Sequence, residues 1–332
     1  MKQVEHIGAG EISKLAEIVK NLAPQKVFLV TGKKSYDDSG AAQPVADALA
    51  GADVLLYSDF GALPLQEDVQ KGITAYTAFN PDLVIAVGGG HVLDMAKAVN
   101  FYAGKKPLVA IPTTAGTGSE ATQFAVVYKD GRKTSLENAE IIPTFAIVDP
   151  HLAMSAPRDV ALASALDALC QAVESLWSNK ATEESKGYSR KALDLIWENI
   201  IPAIENHDAD AISQLMIGAH LSGKAINIAK TTACHALSYG LTYRFHVPHG
   251  VAAAIFLPSV WEYNDFYYPV ASITANAIRE LLQRFDITNL SSFGVAASDI
   301  PSLAAEVNVE RLGNNPRVVT KEAVTQFYTE IL

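Results

Sequence analysis

The chain has 332 residues, of which 49% are hydrophobic and 19% are charged, and its net charge is −10 at pH 7. This length predicts two domains, and this composition argues against a disordered chain. An acidic chain without a run of Lys and Arg also argues against a nucleic-acid or anionic-membrane partner.

The N-terminal segment carries charges throughout and predicts no signal peptide, and no apolar run reaches the ~18 residues that a membrane-spanning helix needs. The two cysteines, Cys170 and Cys234, are too few for a disulfide framework and indicate reduced thiols. We therefore expect a cytoplasmic protein.

The first half alternates β-rich runs with helical patterns. Four runs predict strands: "KVFLVTG" from Lys26 to Gly32, "ADVLLYSDF", "PDLVIAVGGG" and "KPLVAIPTT". The segments between them, "AAQPVADALA", "QEDVQKGITAYTAF" and "LDMAKAVNFYA", are compatible with helices. Strands that are apolar on both faces and alternate with helices predict a parallel sheet covered by helices.

From about Arg158 the strand signal ends and helical periodicity begins. "RDVALASALDALCQAVESLWS" has Pro157 near its start, and two further helical segments follow it. We place the domain boundary near Asp149–Pro150. The prediction is an α/β nucleotide-binding domain, Rossmann-like with a mainly parallel sheet, over 1–150 and an all-α domain over 151–332.

Two loops after predicted strands are rich in small residues. "VIAVGGGHVLDMAK" runs from a strand through three glycines into a helix, where backbone N–H groups can approach an anion. Alone, this run is equally compatible with a tight turn. "IPTTAGTGSEAT" is a second such loop and supplies hydroxyl groups. Two such loops fit the crevice where open α/β sheets bind ligands.

These segments resemble the GGGSxxDxAK and PTTAGTGSE motifs of the iron-containing (group III) alcohol dehydrogenase family, and the resemblance continues to the end of the chain. It implies a dehydroquinate synthase-like architecture, a nicotinamide cofactor across both loops and a divalent metal in the helical domain. His91 stands where the family has serine. The residues implied for the cofactor are Gly88, Gly89, Gly90, His91, Asp94, Thr113, Thr114, Thr117 and Ser119.

The resemblance also implies four metal ligands: an Asp, a His four residues later and two further histidines. Asp167, His235 and His249 match three positions, and Gln171 stands at the other. Residues at i and i+4 share a helix face and can converge on one ion. Asp and neutral His suit Fe(II) or Zn(II), whereas a glutamine oxygen is a weaker ligand. A site with three or four ligands and a site that has lost its metal both stay open.

Tyr239 stands where the family often has a second histidine that relays a proton. A phenol there can relay a proton or bind substrate, and a packed aromatic ring is an equal alternative. We take Tyr239 and His249 as the candidate catalytic residues. His246 matches no family ligand and is expected to be a solvated or packed histidine.

Within the family, "DALCQAVESLWS", "AINIAKTTACHALSY" and "LTYRFHVPHG" resemble the phosphonoacetaldehyde reductases (hydroxyethylphosphonate dehydrogenases). The implied reaction reduces a short aldehyde that carries a phosphonate dianion, and a dianion requires cations and hydroxyl donors. The candidates are Lys224, Lys230, Thr231 and Thr232. The alternative for each lysine is a solvent-facing helix charge.

The first predicted strand ends at Gly32, where NAD-selective family members often have Asp, and Lys33, Lys34 and Ser35 follow. The loss of a carboxylate and the gain of lysines favour the 2′-phosphate of NADPH, with NADH tolerated. A lysine-bearing surface turn is the alternative. The candidate contacts are Gly32, Lys34 and Ser35.

The sequence thus predicts a metal-dependent NAD(P)H reductase of a small anionic aldehyde, most specifically phosphonoacetaldehyde. We expect a homo-oligomer with no nucleic-acid or membrane partner. One alternative is a reductase of another alcohol, aldehyde or semialdehyde on the same fold. A second is a dehydroquinate-synthase-like lyase, which needs more basic residues around its metal. A non-catalytic binding protein is a third, and the intact cofactor loops argue against it.

Overall fold

The structure is a computed structural model that describes residues 3–61, 63–129, 132–307 and 309–332, with the backbone alone at 132, 133, 309 and 310. Its first half contains a sheet, a hairpin and five α-helices. The strands are Val4–Ile7 (β1), Lys26–Thr31 (β2), Asp53–Tyr57 (β3), Leu83–Gly88 (β4), Leu108–Pro112 (β5), Phe124–Lys129 (β6), Arg132–Glu137 (β7) and Phe145–Val148 (β8). The helices are Lys14–Leu22 (α1), Ser35–Asp38 (α2), Ala42–Ala48 (α3), Gln66–Phe79 (α4) and Gly90–Ala103 (α5).

Six strands form one parallel sheet in the order β1-β8-β5-β4-β2-β3, which confirms the predicted sheet. The chain leaves β2 for β3 on one side and returns to β4 on the other side. A crevice therefore opens at the carboxyl ends of β2 and β4, which is the place where open α/β sheets bind ligands.

Helices cover both faces of the sheet, so β4 is buried at every position. Alternate side chains point to opposite faces: Val84 and Ala86 pack with α4 and α5, while Ile85 and Val87 pack with α1 and α3. This two-sided burial is the reason why β4 has a continuous apolar sequence instead of an alternating one.

The sequence analysis did not predict β1 or β8, nor the antiparallel hairpin of β6 and β7. β1 is a short edge strand with Glu5 and His6 in its middle, and it is defined by its pairing with β8. The hairpin did have a local signal, because Asp130 and Gly131 directly follow the β-rich run "FAVVYK".

The second half is helical in all of its described elements from Pro150 onward, and the boundary near Asp149–Pro150 stays a prediction. The α-helices are Arg158–Trp177 (α6), Glu183–Asn206 (α7), Ala209–Ala229 (α8), Ala233–Phe245 (α9), His249–Ala254 (α10), Leu257–Tyr263 (α11), Ala275–Arg284 (α12), Ile300–Ala305 (α13), Val309–Leu312 (α14) and Lys321–Glu330 (α15).

Helix α6 is the central helix of this half and packs against α7, α8 and α10. Pro157 precedes its first turn, where a missing N–H costs nothing. By length and composition α6 could cross a membrane, contrary to the expectation from the sequence, but 78% of its most apolar window is buried inside the molecule. We therefore interpret α6 as a core helix.

The β6–β7 hairpin extends from the first half onto the helical half. Gln123, just before β6, donates its backbone N–H to Asn227 of α8 at 2.8 Å. The ring of Tyr128 in β6 stacks on Tyr243 of α9, with 5.8 Å between the ring centroids. The hairpin and the helices therefore enclose a cavity between the two halves.

Candidate active site

The predicted cofactor residues lie along one edge of the sheet because β2, β4 and β5 are neighbours and end side by side. Gly32 N donates to Val87 O at 3.4 Å, and Thr113 N donates to Gly88 O at 3.0 Å. Lys34 is exposed and precedes Ser35, the first residue of α2. The structure thus brings all three predicted loops to the crevice.

The turn from β4 into α5 has no room for side chains at two of its three glycines. A Cβ at Gly88 would lie 2.6 Å from Val92, and a Cβ at Gly90 would lie 2.5 Å from Thr117. At Gly89 the nearest atom would be the hydroxyl of Thr114, at 3.4 Å. A Cβ at Gly89 would therefore make only ordinary van der Waals contacts, and this position lies beside a helix N-terminus that favours an anion.

Two polar side chains in this region fit a bound cofactor. The hydroxyl of Thr113 is buried and has no hydrogen-bond partner among the described residues. His91 is the second residue of α5 and lines the cavity. Burial lowers the pKa of the His91 imidazole, so the ring is neutral at pH 7 and one of its nitrogens can donate a hydrogen bond.

Asp94 and Lys97 of α5 hold the second loop in place. Asp94 accepts hydrogen bonds from the Ser119 hydroxyl at 2.5 Å and from Val126 N at 3.0 Å. Lys97 is buried and donates to Ser119 O at 2.9 Å and to the Thr122 hydroxyl at 3.0 Å. The sequence analysis assigned no role to Lys97, although this residue ends the DxAK motif.

Asp167, His235 and His249 converge on the cavity from α6, α9 and α10. Their ligand atoms, one from each residue, all lie within 4.8 Å of one another. His235 Nε2 is 3.1 Å from Asp167 Oδ1, and the two imidazole centroids are 5.5 Å apart. We call these three residues the ligand cluster.

Gly250 explains how His249 reaches this cluster. A Cβ at Gly250 would lie 1.8 Å from the carbonyl oxygen of Ala163 and 2.7 Å from Asp167 N. Helix α10 can therefore contact the backbone of α6 only with glycine at its second position. This close approach places His249, its first residue, beside Asp167.

Glu174, which the sequence analysis did not single out, orients His235. Its Oε2 pairs with His235 Nδ1, and its Oε1 accepts from Thr232 N at 3.0 Å and from Cys234 N at 2.9 Å. Because Nδ1–H is held in this way, the Nε2 lone pair can ligate a metal. The available signal was the i+7 spacing from Asp167 on a buried helix face, where a carboxylate needs a partner.

Ser238 gives His249 a matching orientation. The Ser238 hydroxyl donates to His235 O at 2.9 Å, which leaves its oxygen to accept from His249 Nδ1 at 3.5 Å. With its proton on Nδ1, His249 also presents Nε2 as a ligand.

Gln171 contacts Asp167, as the i, i+4 spacing predicts. Its Nε2 donates to Asp167 Oδ2 at 3.1 Å, and its Oε1 accepts from Ser222 Oγ at 3.0 Å. Ser222 also lies 2.8 Å from Ala219 O. Rotating the amide by a half-turn therefore keeps both Ser222 bonds, since Ser222 then donates to Ala219 and accepts from Gln171. That rotation turns the Gln171 oxygen towards the ligand cluster.

The donor set fits a divalent cation. Burial lowers the pKa of His235, but Glu174 and Asp167 outweigh burial and raise this pKa to about 9. A cluster whose field holds a proton on a buried imidazole is also a favourable place for a metal cation. Its nitrogen and oxygen donors suit Fe(II) or Zn(II).

Tyr239 and Thr242 continue the face of α9 that begins with His235. The Tyr239 ring stacks on His249, with 5.9 Å between centroids and 17° between planes. Burial raises the pKa of the Tyr239 phenol, so the phenol keeps its proton at neutral pH. The buried hydroxyl of Thr242 has no hydrogen-bond partner among the described residues. Both side chains line the cavity.

Only two of the four predicted substrate residues, Lys230 and Thr231, line the cavity. Lys224 is a correction: its Nζ lies 2.8 Å from Glu5, on the side of α8 that faces β1. Thr232 is a second correction, because it is fully buried and its hydroxyl donates to Glu174 at 2.7 Å. His246 is exposed, as expected.

Arg311 of α14 is a cavity residue that the sequence analysis missed. Its guanidinium donates to the Thr231 hydroxyl at 2.8 Å and to the Ser135 hydroxyl at 3.4 Å. Lys230 contacts Glu137 of β7 at 2.6 Å. No local pattern marks Arg311, because its partners are distant in sequence.

The cavity has a volume of about 210 Å³, which is less than the roughly 300–1,000 Å³ of sites for drug-sized ligands. It contains the ligand cluster, the two cations and part of the predicted cofactor site. The cofactor residues that line it are Gly90, His91, Asp94, Thr117 and Ser119. A small substrate in this cavity can therefore reach all three groups.

Two sequence profiles match this chain. Residues 5–150 match the iron-containing alcohol dehydrogenases, and residues 161–271 match the C-terminal domain of the Fe-containing alcohol dehydrogenase family.

Individual relatives agree with these matches. Phosphonoacetaldehyde reductase of Streptomyces viridochromogenes is 31% identical over 304 residues, which cover 76% of this chain and 77% of the relative. Sulfoacetaldehyde reductase of Bilophila wadsworthia is 28% identical over 372 residues, which cover 98% of this chain and 96% of the relative. The crystal structure of sulfoacetaldehyde reductase from Bifidobacterium kashiwanohense with NAD⁺ superimposes with a TM-score of 0.90 at 27% identity, over 99% of this chain and 96% of that one.

Proposed function

This chain belongs to the iron-containing alcohol dehydrogenase family, and from that premise we propose that it reduces phosphonoacetaldehyde to 2-hydroxyethylphosphonate. Membership confirms the family that the motifs predicted and makes the protein an NAD(P)-dependent oxidoreductase. The lyase and the non-catalytic binding protein are thereby set aside.

The observation that carries the proposal is the presence of two cations in the same small cavity as the ligand cluster. Arg311 and Lys230 both line it, with the hydroxyls of Thr231 and Ser135 beside Arg311. A guanidinium binds two phosphonate oxygens at once, and a lysine adds a second charge. Lys230 pairs with Glu137 at 2.6 Å, so in this proposal the phosphonate displaces Glu137 from Lys230. The two cations then match a dianion better than they match a neutral aldehyde or a sulfonate monoanion.

In this proposal, the ligand cluster would hold the divalent metal and Arg311 and Lys230 would hold the phosphonate. When bound, the nicotinamide supplies a hydride to the aldehyde carbon, and the metal supplies Lewis acidity at the aldehyde oxygen. Tyr239, protonated at neutral pH, donates the proton that the product oxygen needs. Gln171, with its amide rotated, would add a fourth ligand oxygen.

For the cofactor we propose a preference for NADPH over NADH. Gly32 and Lys34 support it, because no carboxylate follows β2 at position 32 and an exposed lysine stands two residues later. A lysine attracts the 2′-phosphate that only NADPH has. The cytoplasmic location and the homo-oligomer stay predictions.

The test is steady-state oxidation of NADPH and NADH, with added Fe(II) or Zn(II), on phosphonoacetaldehyde, sulfoacetaldehyde and propanal. We expect the highest kcat/KM on phosphonoacetaldehyde with NADPH. Arg311→Met removes a charge-assisted contact worth about 1.5–3 kcal/mol, so kcat/KM on phosphonoacetaldehyde should fall by roughly tenfold to a hundredfold or more. Propanal has no anion, and its turnover should change little.

Arg317→Met is the matched control, since Arg317 donates to Tyr263 O at 2.8 Å and does not line the cavity. This variant should leave kcat/KM on all three aldehydes unchanged. Equal losses on phosphonoacetaldehyde and propanal in Arg311→Met would make Arg311 structural. A wild-type preference for sulfoacetaldehyde or propanal would replace the phosphonate assignment.

A further inference from the structure

The loop that carries Ser119 lies against helix α8 at a distance that only glycines allow. Gly118 has φ +59°, and a Cβ there would lie 2.5 Å from the Cα of Gly223. A Cβ at Gly223 would lie 2.5 Å from Gly118 O. The position of Ser119, a predicted cofactor contact, therefore depends on the position of α8.

Beside this contact, a fully buried histidine lies between two carboxylates. His220 of α8 has its Nδ1 3.0 Å from Glu120, the residue after Ser119. Its Nε2 is 3.6 Å from Glu5 of β1, which is an ion-pair distance and not a hydrogen bond. Lys224, one turn later in α8, contacts both oxygens of Glu5 at 2.8 and 2.9 Å. The cluster joins β1, the loop and α8.

This arrangement favours a charged imidazole. Burial lowers the pKa of His220, but the hydrogen bond to Glu120 and the negative charges of Glu120 and Glu5 raise it to about 9. The pKa of Glu5 is lowered to about 2, chiefly by His220 and in addition by Lys224. At neutral pH two cations therefore face two carboxylates.

We propose that His220, as an imidazolium, is a positioning residue that fixes the Ser119 loop to the helical half, so that loss of its charge weakens NAD(P)H binding. His220 does not line the active-site cavity; it acts through Glu120. Without its proton, Glu120, which is only 4% exposed, would lose its cation inside the protein, and the loop would shift to hydrate it. The inference needs only the cofactor dependence and not the identity of the aldehyde.

The direction of the pH effect follows from the raised pKa. The contribution of charged His220 to NAD(P)H binding is fully present at pH values below the ordinary pKa of an imidazole. It is lost as the pH rises through about 9. Among the described residues, the charged groups that face His220 are Glu5, Glu120 and Lys224. Lys97 of α5 also contacts the Ser119 loop, and burial lowers its pKa to about 8. The experiment must therefore separate the titration of His220 from that of Lys97.

The experiment measures the dissociation constant of NADPH by its fluorescence, without aldehyde, between about pH 6.5 and about pH 10. In the wild type it should rise by about fivefold or more above pH 9. His220→Asn keeps a donor near the Nδ1 position without the charge, so its binding should be weak even at neutral pH and should lose the step near pH 9. Glu5→Gln removes a negative charge that raises the pKa of His220 but does not act on Lys97. It should therefore move the step in NADPH binding to lower pH.

His6→Asn is the control, since His6 lies next to Glu5 in β1 but pairs with Glu11 at 3.8 Å; its profile should equal that of the wild type. The proposal is overturned if folded His220→Asn binds NADPH as the wild type does. If His220→Asn does not fold, Glu5→Gln decides: a step that stays at the wild-type pH assigns the effect to Lys97 and removes His220 from cofactor binding.

Discussion

Lys230 combines an unusual backbone conformation with a place in the cavity wall. It follows α8 with φ 61° and ψ 174°, a combination that is almost restricted to glycine and that costs about 1–3 kcal/mol for another residue. Its Nζ lies 2.6 Å from Glu137 and 5.8 Å from the ring centre of Phe124. The strain at this position is the cost at which the chain places a lysine in the cavity wall.

We expect Lys230→Gly to raise the free energy of unfolding by about 1 kcal/mol, because the backbone strain is relieved. The same variant should lose about tenfold or more in kcat/KM on phosphonoacetaldehyde, because a charged contact is gone. Denaturant unfolding and steady-state assays measure the two effects. Lys105→Gly is the control: Lys105 also has a positive φ of 53° but pairs with Glu140 far from the cavity. The prediction is wrong if Lys230→Gly lowers the free energy of unfolding and leaves kcat/KM on phosphonoacetaldehyde unchanged.

Substitutions at two positions of α6 should change the metal affinity of the ligand cluster in opposite directions. Gln171→His places an imidazole one turn after Asp167 and should tighten binding of Fe(II) or Zn(II), since imidazole is the better ligand. Glu174→Gln should loosen binding by about 10–100-fold, because the carboxylate orients His235. Competition with a chelator measures both constants. If neither variant changes the affinity, the ligand cluster does not hold the metal.

At the scale of elements, the glycines between β4 and α5 serve two purposes, close packing and cofactor binding. Substitutions at two of them should affect these purposes separately. Gly90→Ala would push Thr117, whose hydroxyl accepts from Ser119 N at 3.2 Å, and should destabilise the fold by about 1–3 kcal/mol. Gly89→Ala meets nothing closer than 3.4 Å. It should leave stability unchanged and weaken NADPH binding. Thermal unfolding and fluorescence titration test the pair, and equal stabilities would contradict this reading of the packing.

The same scale shows which elements a sequence can predict. β4 and β5 are buried on both faces, so their apolar runs identify them without knowledge of the rest of the chain. Helix α6 likewise has a continuous helical pattern. β1 is different: its residues are intermediate or exposed, and it is a strand because β8 lies beside it. Pairing between distant segments leaves no local pattern to read.

At the scale of the whole molecule, the candidate site divides in the same way. Asp167, His235 and His249 belong to motifs and could be named from the sequence. Arg311 could not, because its partner Thr231 lies 80 residues earlier. Glu174 had a weaker signal, as a charged residue on the buried face of α6. Residues whose contacts join segments that are distant in the chain are therefore the ones that the sequence alone does not reveal.

The hairpin of β6 and β7 has a consequence for recombination between relatives. It belongs to the first half in sequence, yet Ser135 and Glu137 contact Arg311 and Lys230 of the second half. A crossover near position 150 therefore separates Lys230 from Glu137 and Arg311 from Ser135, although it leaves both halves intact. Under the proposed role of these cations, a chimera that exchanges the helical half should carry residues 124–137 along with it to inherit the donor's choice of substrate.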